Sequence, residues 1–410
     1  MEHYDDLETA APEVREARLM AALPAQVSHA KAKAPGYAEI LAGVDPAAVT
    51  GRAALAQLPV TRKADLMERQ SSAAPFGGLA AVPPGSAARL FASPGPIYEF
   101  ETARRGFWRL ERALFAAGFR AGDIVHNCFA YHLTPGGWMM DGAARSLGCA
   151  VIAGGVGNSE QQVEAIAHFR PSGYTGTPDF LKVLLDKGVE LGADCSSITR
   201  ALVSGGALFP ALRQGYAERG VAVLQCYATA DLGLIAYESE AREGMILDEE
   251  IIVEILRPGT GDPLPEGEVG EVAVTTLNRD YPLIRFATGD LSAVMPGSSP
   301  CGRTAPRICG WLGRADQATK VKGMFVQPAQ VAAVLKRHGE IARARLVVTR
   351  EGDSDVMTLK CEVENGITGL AAAVADSLQA SCKLKGAVEL VAVGSLPNDG
   401  RVIDDQRSYD

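Results

Sequence analysis

The chain has 410 residues, of which 47% are hydrophobic and 22% are charged, and its formal net charge is −9. This length suits one large domain with a smaller one, and the composition is that of a soluble globular protein without an apolar run of about 18 residues that could span a bilayer. A negative chain without a basic block would repel a phosphate backbone. We therefore expect neither a membrane nor a nucleic acid as partner.

The N-terminal segment and the cysteines indicate the compartment. Residues 1–6 are acidic and lack the basic and apolar regions of a secretory signal, so we expect a cytoplasmic protein. The eight cysteines are scattered and form no Cys-x-x-Cys pair, which indicates reduced thiols that are individually buried. We expect Cys309 to be one of these buried thiols. The oligomeric state stays open, a homodimer included.

In chain order, the first half predicts helices and then alternating strands and helices. Leu19, Leu23, Val27 and Ala30 fall at helical spacing before a Pro-Gly break. A further helix is predicted over residues 100–117. The alternating elements that follow are strands over 123–129, 150–153, around 174 and 200–204, and helices ending at 147 and spanning 160–169 and 178–187. Such alternation is typical of parallel β-α units with a buried sheet.

The pattern changes after residue 230. Period-2 runs at 251–256 and 270–277, separated by a Pro/Gly-rich turn, predict antiparallel strands. Residues 327–393 then predict helix, strand, strand, helix, strand, a compact α+β domain of ordinary size. The sequence thus predicts an α/β fold with a large multi-lobed N-terminal domain, residues 1–312, which combines parallel sheets with an antiparallel β lobe. A small α+β C-terminal domain, residues 313–410, follows.

Several phrases occur together and in a fixed order. They are Leu-Pro-Val-Thr-Arg-Lys-Ala-Asp-Leu (58–66), Pro-Phe-Gly-Gly-Leu (75–79), Tyr-Pro-Leu-Ile-Arg-Phe-Ala-Thr-Gly-Asp-Leu (281–291), Ser-Pro-Cys-Gly-Arg (299–303) and Gly-Arg-Ala-Asp (313–316). Each is weak alone, but together they resemble the phenylacetate–coenzyme A ligase branch of the AMP-binding, acyl-adenylate-forming enzymes. The resemblance implies a ligase that joins an aromatic acid to coenzyme A, using ATP and Mg²⁺, with an acyl-adenylate as intermediate and AMP as a product.

The resemblance assigns nucleotide roles to three residues. It makes Asp290 the ribose ligand, and a carboxylate there can accept hydrogen bonds from both ribose hydroxyls. It places Arg314 near phosphate or ribose oxygens, which suit a guanidinium fork, and Tyr227 against the adenine. The structural alternative is that Asp290 caps a turn and that Arg314 forms a surface ion pair with Asp316.

Further roles concern the small domain and coenzyme A. By the same resemblance, Asp316 is the hinge about which a mobile C-terminal domain turns between adenylation and thioester formation. Lys322 and Gly323 follow, and a glycine there lets backbone approach the thiol arm closely.

The resemblance also places an acyl pocket in the loops near residues 129–138, 204–209 and 226–231. Its expected lining residues are Phe129, Tyr131, Trp138, Gly205, Gly206 and Ala207. Apolar walls with a few polar groups suit an aromatic acid, and the carboxyl ends of parallel strands are where such sheets bind ligands. For Trp138, core packing is an equally good interpretation.

Two departures from the family concern the phosphates. The family's Ser/Thr/Gly-rich phosphate loop ending in Gly-Lys corresponds here to residues 91–100, where two prolines remove N–H donors and Glu99 adds negative charge. The family's magnesium-binding Glu is replaced by Asp231, which is one methylene shorter but still able to hold Mg²⁺. We predict poor binding on the pyrophosphate side.

A third departure concerns the catalytic lysine of the C-terminal domain. This lysine is either deleted or replaced by Arg401, a bulkier forked donor. The alternative that the side chain of Lys383 or Lys385 reaches the site also stays open. We assign Asp231 and Arg401 to catalysis.

A fourth departure concerns a structural zinc site found in many relatives. Ser239, Met245 and Ser299 stand at three of its four ligand positions, which leaves Cys301. One soft ligand cannot form a tetrahedral site, so we predict no zinc.

Two functions follow. One is an AMP-forming aryl–coenzyme A ligase with altered kinetics. The other is a noncatalytic or repurposed relative that binds an aromatic acid, its coenzyme A thioester or another preactivated acyl group. The altered loop and lysine favour the second, whereas Asp290 and Arg314 favour continued binding of AMP or coenzyme A.

Overall fold

The computed structural model describes residues 2–206, 208, 210–312, 314–315, 319–321, 324–326, 328–335, 337–351, 354–364, 368–397 and 401–407. The chain forms two compact units. The first comprises Met1–Glu268, Val272–Thr288 and Ser292–Trp311, and the second comprises Val269–Glu271, Gly289–Leu291 and Leu312–Asp410. A boundary at residue 312 and a mobile C-terminal domain stay predictions. No helix in the described ranges is long and apolar enough to cross a bilayer.

The N-terminal region begins with a long helix whose apolar stripe is buried. The predicted residues Leu19, Leu23, Val27 and Ala30 form that stripe, which confirms the helical spacing. The elements of this region are α1 (Pro12–Lys33), α2 (Pro35–Ile40), α3 (Arg52–Leu55), β1 (Thr61–Arg62), α4 (Leu66–Ser72), β2 (Arg89–Ser93) and β3 (Ile97–Glu101), with 3₁₀ turns at Asp6–Thr9, Pro46–Ala48, Lys63–Asp65 and Pro84–Ser86.

The helix predicted over residues 100–117 is wrong in its first half. Strand β3 pairs antiparallel with β2, and Phe100 packs against Phe76 and Tyr281 at ring-centroid distances of 4.6 and 5.1 Å. The left-handed φ of 60° at Arg109 then interrupts the chain, and a helix forms only at Glu111–Ala116. Apolar burial on one face of the hairpin has overridden local helical spacing.

The middle of the chain builds the predicted β-α units. Its elements are α5 (Glu111–Ala116), β4 (Ile124–Asn127), α6 (Gly136–Ser146), β5 (Ala150–Ala153), α7 (Ser159–Phe169), β6 (Gly173–Gly176), α8 (Pro178–Leu191), β7 (Arg200–Val203), α9 (Pro210–Glu218) and β8 (Ala222–Thr229). Strands β4 to β8 pair in parallel, in the order β5-β4-β6-β7-β8. Their carboxyl ends therefore meet at one edge, as the sequence predicts.

The chain then changes to antiparallel pairing and a second sheet. The elements are β9 (Gly233–Tyr237), β10 (Met245–Leu247), β11 (Ile251–Leu256), β12 (Gly270–Thr276), β13 (Phe286–Ser292), β14 (Val294–Met295) and β15 (Arg307–Ile308). Strand β9 pairs antiparallel with β8 and extends the large sheet through β10, β15 and β14. The second sheet has the order β1-β13-β12-β11, with β1 parallel to β13.

The second unit is an α+β arrangement with its own apolar core. Its elements are β16 (Thr319–Val321), β17 (Met324–Val326), α10 (Pro328–Leu335), β18 (Arg343–Glu351), β19 (Ser354–Val363), α11 (Leu370–Cys382), β20 (Ala387–Ala392) and β21 (Ile403–Asp405). The sheet order is β20-β19-β18-β21, and the core includes Leu346, Leu359, Val374 and Leu378. The predicted fold class, a large α/β part with an α+β C-terminal part, is confirmed.

Candidate active site

A cleft of about 670 Å³ opens at the carboxyl ends of the parallel strands. The segments after β4, β6, β7 and β8 supply most of its wall, as expected for such a sheet. Phe129 and Gly205, both predicted, line it, together with apolar groups that include Met139, Met140 and Phe180. Asp179 is the one charged side chain among the described lining residues. The cleft has the size and apolar character of a small-molecule site.

Tyr131 and Trp138 do not line this cleft but support its first loop. Their rings meet edge to face at 5.1 Å, Trp138 Nε1 donates to the Tyr131 carbonyl at 3.1 Å, and the Arg89 guanidinium lies over the Trp138 ring at 4.2 Å. The packing alternative for Trp138 therefore describes its contacts. Gly206 lies beside Pro178, and Ala207 lies outside the described residues.

Asn127 organises the same loop, although the sequence did not single it out. Its buried amide donates to the Gly137 carbonyl at 2.8 Å and to the Tyr131 hydroxyl at 2.7 Å, and its oxygen accepts from the Phe129 N–H at 3.2 Å. A Cβ at Gly137 would lie 2.7 Å from the Ala130 carbonyl oxygen, so only glycine allows this approach. These contacts fix Phe129 at the cleft.

Residues 91–100, which the resemblance places at the family's phosphate loop, form a tight hairpin. Strands β2 and β3 pair up to Ser93 and Ile97, so only residues 94–96 remain for the turn. Gln70 ties the hairpin down through two hydrogen bonds with the Tyr98 backbone, at 2.8 and 2.7 Å. Ser93 lines the cleft, and its Oγ donates to Glu99 Oε2 at 2.7 Å.

Asp231 lies in the short connection between β8 and β9, with its side chain closed to solvent. Lys63 Nζ lies 2.6 Å from Asp231 Oδ2. Trp108 Nε1 donates to the Ala230 carbonyl at 3.2 Å and holds this connection. Sequence reasoning missed Lys63 as a site residue, although its place in the 58–66 phrase was a signal.

Glu99 and Asp231 form one buried acidic cluster with Lys63. Burial raises the pKa of Glu99 to about 7, and the charge of Asp231 adds to the rise, whereas the Ser93 hydrogen bond and Lys63 oppose it. Glu99 is 1% exposed. Within the described part of the chain, Glu99 Oε1 and Asp231 Oδ1 accept no hydrogen bond. Glu99 therefore changes protonation near neutral pH beside a cleft.

Tyr227 lies at the end of β8, half-buried. Its hydroxyl donates to Thr288 Oγ1 at 3.1 Å, and Thr288 Oγ1 in turn donates to the Val272 carbonyl at 3.0 Å. This orients the ring, while its contact with an adenine stays a prediction.

In the second unit, Asp290 and Arg314 are partners. They form an isolated antiparallel bridge, and Arg314 NH1 lies 3.3 Å from Asp290 Oδ1. Gly289 has φ +80°, a backbone conformation that glycine adopts without the strain a side chain would add. The structure brings these two predicted nucleotide residues together, and the ribose contact stays a prediction.

The contacts of the other predicted residues of the second unit do not indicate a ligand. Arg401 donates to the Leu312 carbonyl at 2.8 Å and lies 3.5 Å from Asp404 Oδ1. Asp316, Lys322 and Gly323 lie outside the described residues, so the hinge and the coenzyme A contact stay predictions.

At the expected zinc position, Cys301 Sγ lies 3.0 Å from Ser299 Oγ. Burial alone would raise the pKa of the Cys301 thiol, but hydrogen bonds from Ser239, Ser299 and Arg303 outweigh it and the pKa is lowered. One thiol and two hydroxyls do not fit zinc, and no group of three metal-binding side chains occurs among the residues described. The prediction that Cys309 is buried is wrong, because it is exposed.

Comparisons with known proteins agree with this architecture. The AMP-binding enzyme family matches residues 105–278, and the AMP-binding enzyme C-terminal domain matches residues 323–407. Phenylacetate-coenzyme A ligase of Thermus thermophilus is 34% identical over 88% of this chain and 84% of its own, and that of Aromatoleum evansii is 30% identical over 82% and 79%.

A solved structure with the same fold is that of 2-hydroxyisobutyryl-CoA ligase in complex with 2-HIB-AMP and CoA. It has a TM-score of 0.73 and 25% identity, and the alignment covers 98% of this chain and 92% of that one. The phrases found in the sequence, the two matched domains and the relatives agree along most of the chain. The chain belongs to the phenylacetate–coenzyme A ligase family of AMP-binding enzymes.

Proposed function

We propose that this protein binds an aromatic carboxylic acid or its coenzyme A thioester in the cleft and forms the acyl-adenylate from ATP slowly or not at all. AMP-binding ligases in general use ATP, Mg²⁺ and coenzyme A with a small-molecule acid. The observation that carries the proposal is the internal pairing of Lys63 with Asp231 beside a phosphate segment that has become a hairpin.

The hairpin lacks what a triphosphate needs. Phosphates are held by backbone N–H groups and cations that point at them. Pro94 and Pro96 have no N–H, the Ser93 hydroxyl is directed to Glu99, and an ionised Glu99 would repel a phosphate. These features support weak binding of the β- and γ-phosphates.

Asp231 is also a poor magnesium ligand in this arrangement. Its Oδ2 lies 2.6 Å from the Lys63 ammonium, so a magnesium ion could use only the buried Oδ1, where the nearby ammonium would repel it. The residues as placed do not fit a magnesium ion held as in the family, and we assign no step to one.

The cleft and the second unit support continued ligand binding. A volume of about 670 Å³ with Phe129, Met139 and Phe180 in the wall suits an aryl ring. The paired Asp290 and Arg314 support binding of AMP or of the nucleotide part of coenzyme A. A protein that keeps these groups but not the phosphate loop is suited to an acid or to an acyl group that is already activated.

Calorimetry and isotope exchange test the proposal. We expect phenylacetate or phenylacetyl-CoA to bind and AMP to bind through Asp290, so that Asp290→Ala removes AMP binding but not acid binding. ATP–pyrophosphate exchange with phenylacetate should be absent or very slow. Exchange at roughly 1 s⁻¹ or faster, within the usual enzyme range, would instead establish the plain ligase function.

A further inference from the structure

Ser93 differs from the other hydroxyl groups of the cleft in its partner. Ser204 Oγ donates to the Cys226 carbonyl at 2.8 Å, and Thr229 Oγ1 accepts from the Leu232 N–H at 3.1 Å, so both serve the backbone. Ser93 Oγ donates to the Glu99 carboxylate at 2.7 Å. Among the described lining residues, no other hydroxyl donates to a carboxylate. A hydroxyl hydrogen-bonded to a base and open to a ligand cavity has the geometry of an activated nucleophile.

The base lies beside a second buried carboxylate. Glu99 is buried, and its Oε1 accepts no hydrogen bond from any described residue. Asp231 lies close enough to raise the pKa of Glu99, and Lys63 is bound to Asp231. The raised pKa of about 7 is suited to a group that takes and returns a proton near neutral pH.

We propose that Ser93 is an acyl-accepting nucleophile with Glu99 as its general base, and that this pair hydrolyses the thioester of an acyl group bound in the cleft. This rests on the proposed function, because the cleft must hold the acyl part of a coenzyme A thioester. It adds an activity that runs opposite to ligation: removal of coenzyme A from an activated acid.

The reaction takes place in two steps. First, Ser93 Oγ bonds to the thioester carbonyl carbon and gives its proton to Glu99. The carbon–sulfur bond breaks, and the leaving thiolate takes that proton, so coenzyme A departs as the thiol. Second, water attacks the Ser93 ester and gives a proton to Glu99, which returns it to Ser93 Oγ as the carboxylic acid leaves. Thioester and water become acid and thiol, without an oxidant or other co-reactant.

A purely structural role of the pair predicts a different outcome. In that case the Ser93–Glu99 hydrogen bond only ties β2 to β3. Ser93→Ala would then lower stability, no acyl group would become attached to the protein, and any slow thioester loss would persist in the variant.

The test uses the full chain with phenylacetyl-CoA and benzoyl-CoA. Free thiol is measured with a thiol reagent, and intact-mass and peptide mass spectrometry are applied after acid quenching. We expect thiol release with an acyl adduct on the peptide that contains Ser93. Ser93→Ala should remove both, and Glu99→Gln should reduce release by about 10²-fold or more. The wild-type rate should rise with pH through one ionisation near 7, and Glu99→Gln should lack this ionisation.

Exposed Ser86, whose Oγ donates to the Pro83 carbonyl at 2.8 Å, provides the matched control, and Ser86→Ala should release thiol at the wild-type rate. The inference is overturned if wild type releases no thiol from either bound thioester, or if Ser93→Ala releases it at the wild-type rate.

Calorimetry with the same thioesters separates the two proposals. Binding without an acyl adduct leaves the proposed function standing, whereas absence of acid and thioester binding removes it.

Discussion

Two clusters of buried charge in the first unit differ in how completely their polar atoms are paired. Arg285 is 1% exposed and uses all five of its N–H donors. Two go to Glu254, each at 3.0 Å, and three go to the carbonyls of Ala56, Leu58 and Gly261, at 2.6 to 2.8 Å. In the cluster of Lys63, Asp231 and Glu99, two buried carboxylate oxygens accept no hydrogen bond from the described residues.

The difference in hydrogen bonding separates a cluster that stabilises the fold from a cluster that can take part in a reaction. A buried charge is tolerated when its hydrogen bonds are complete, so Arg285 serves to join the segment before β1 to β11 of the second sheet. An incomplete cluster beside a cleft keeps a group ready to exchange a proton or meet a ligand. Arg285 lies within the 281–291 phrase that contributes to the family resemblance, and its contacts are structural.

The largest expected effect comes from breaking the complete cluster. Arg285→Met should lower the free energy of unfolding by about 3–5 kcal/mol, because Glu254 and three carbonyls lose their donor. Urea unfolding measures the loss. The control is Arg219→Met, which removes an exposed pair with Asp186 and should change stability by less than about 1 kcal/mol. Similar losses in both variants would contradict the comparison.

The incomplete cluster should show itself in the pH dependence of stability. The pKa of Glu99 is raised from 4.5 to about 7 in the folded protein, so the folded state binds this proton more tightly. The contribution of Glu99 to the free energy of unfolding is therefore fully present below pH 4.5 and is lost as pH rises through about 7. The loss is on the order of 3 kcal/mol at about 1.36 kcal/mol per pKa unit.

Glu99→Gln isolates this contribution. Burial also raises the pKa of Glu249, to about 8, and that group acts in the same direction in both proteins. The difference between wild type and Glu99→Gln, measured by urea unfolding from pH 4.5 to 8, should therefore shrink or reverse as pH rises. Parallel curves for the two proteins would show that Glu99 titrates normally.

A smaller effect is expected from the hydroxyl of the cleft. Ser93→Ala should lower the free energy of unfolding by about 1 kcal/mol, because one hydrogen bond to Glu99 is lost. The loss should grow from pH 5 to pH 8, where Glu99 is ionised and the bond is stronger. A pH-independent loss would mean that the bond does not sense the charge of Glu99.

No effect is expected from metal removal. Ser239, Ser299 and Arg303 already satisfy the Cys301 thiol by hydrogen bonds, so a chelator should leave the melting temperature unchanged. The purified protein should contain no stoichiometric zinc by elemental analysis. About one zinc per chain would contradict the assignment of Ser239, Met245 and Ser299 as replaced ligands.

The sequence by itself determined the β-α alternation between Ile124 and Thr229, the α+β order near the C-terminus and the family. These depend on periodicity and on contiguous phrases, which are local properties of the chain. The sequence also predicts a departure from the family's phosphate loop, because two prolines and a glutamate stand within one short segment, residues 91–100.

Only the tertiary structure decided how distant groups meet. Lys63 and Asp231 are 168 residues apart in sequence, and no local pattern reports their pairing or the burial of Glu99 beside them. The strand Ile97–Glu101 takes in the start of the helix predicted over residues 100–117, because Phe100 packs against Phe76 and Tyr281, which propensity does not encode. Tyr131 and Trp138 likewise support the cleft from behind, since side-chain direction is fixed only when the loop folds against Asn127.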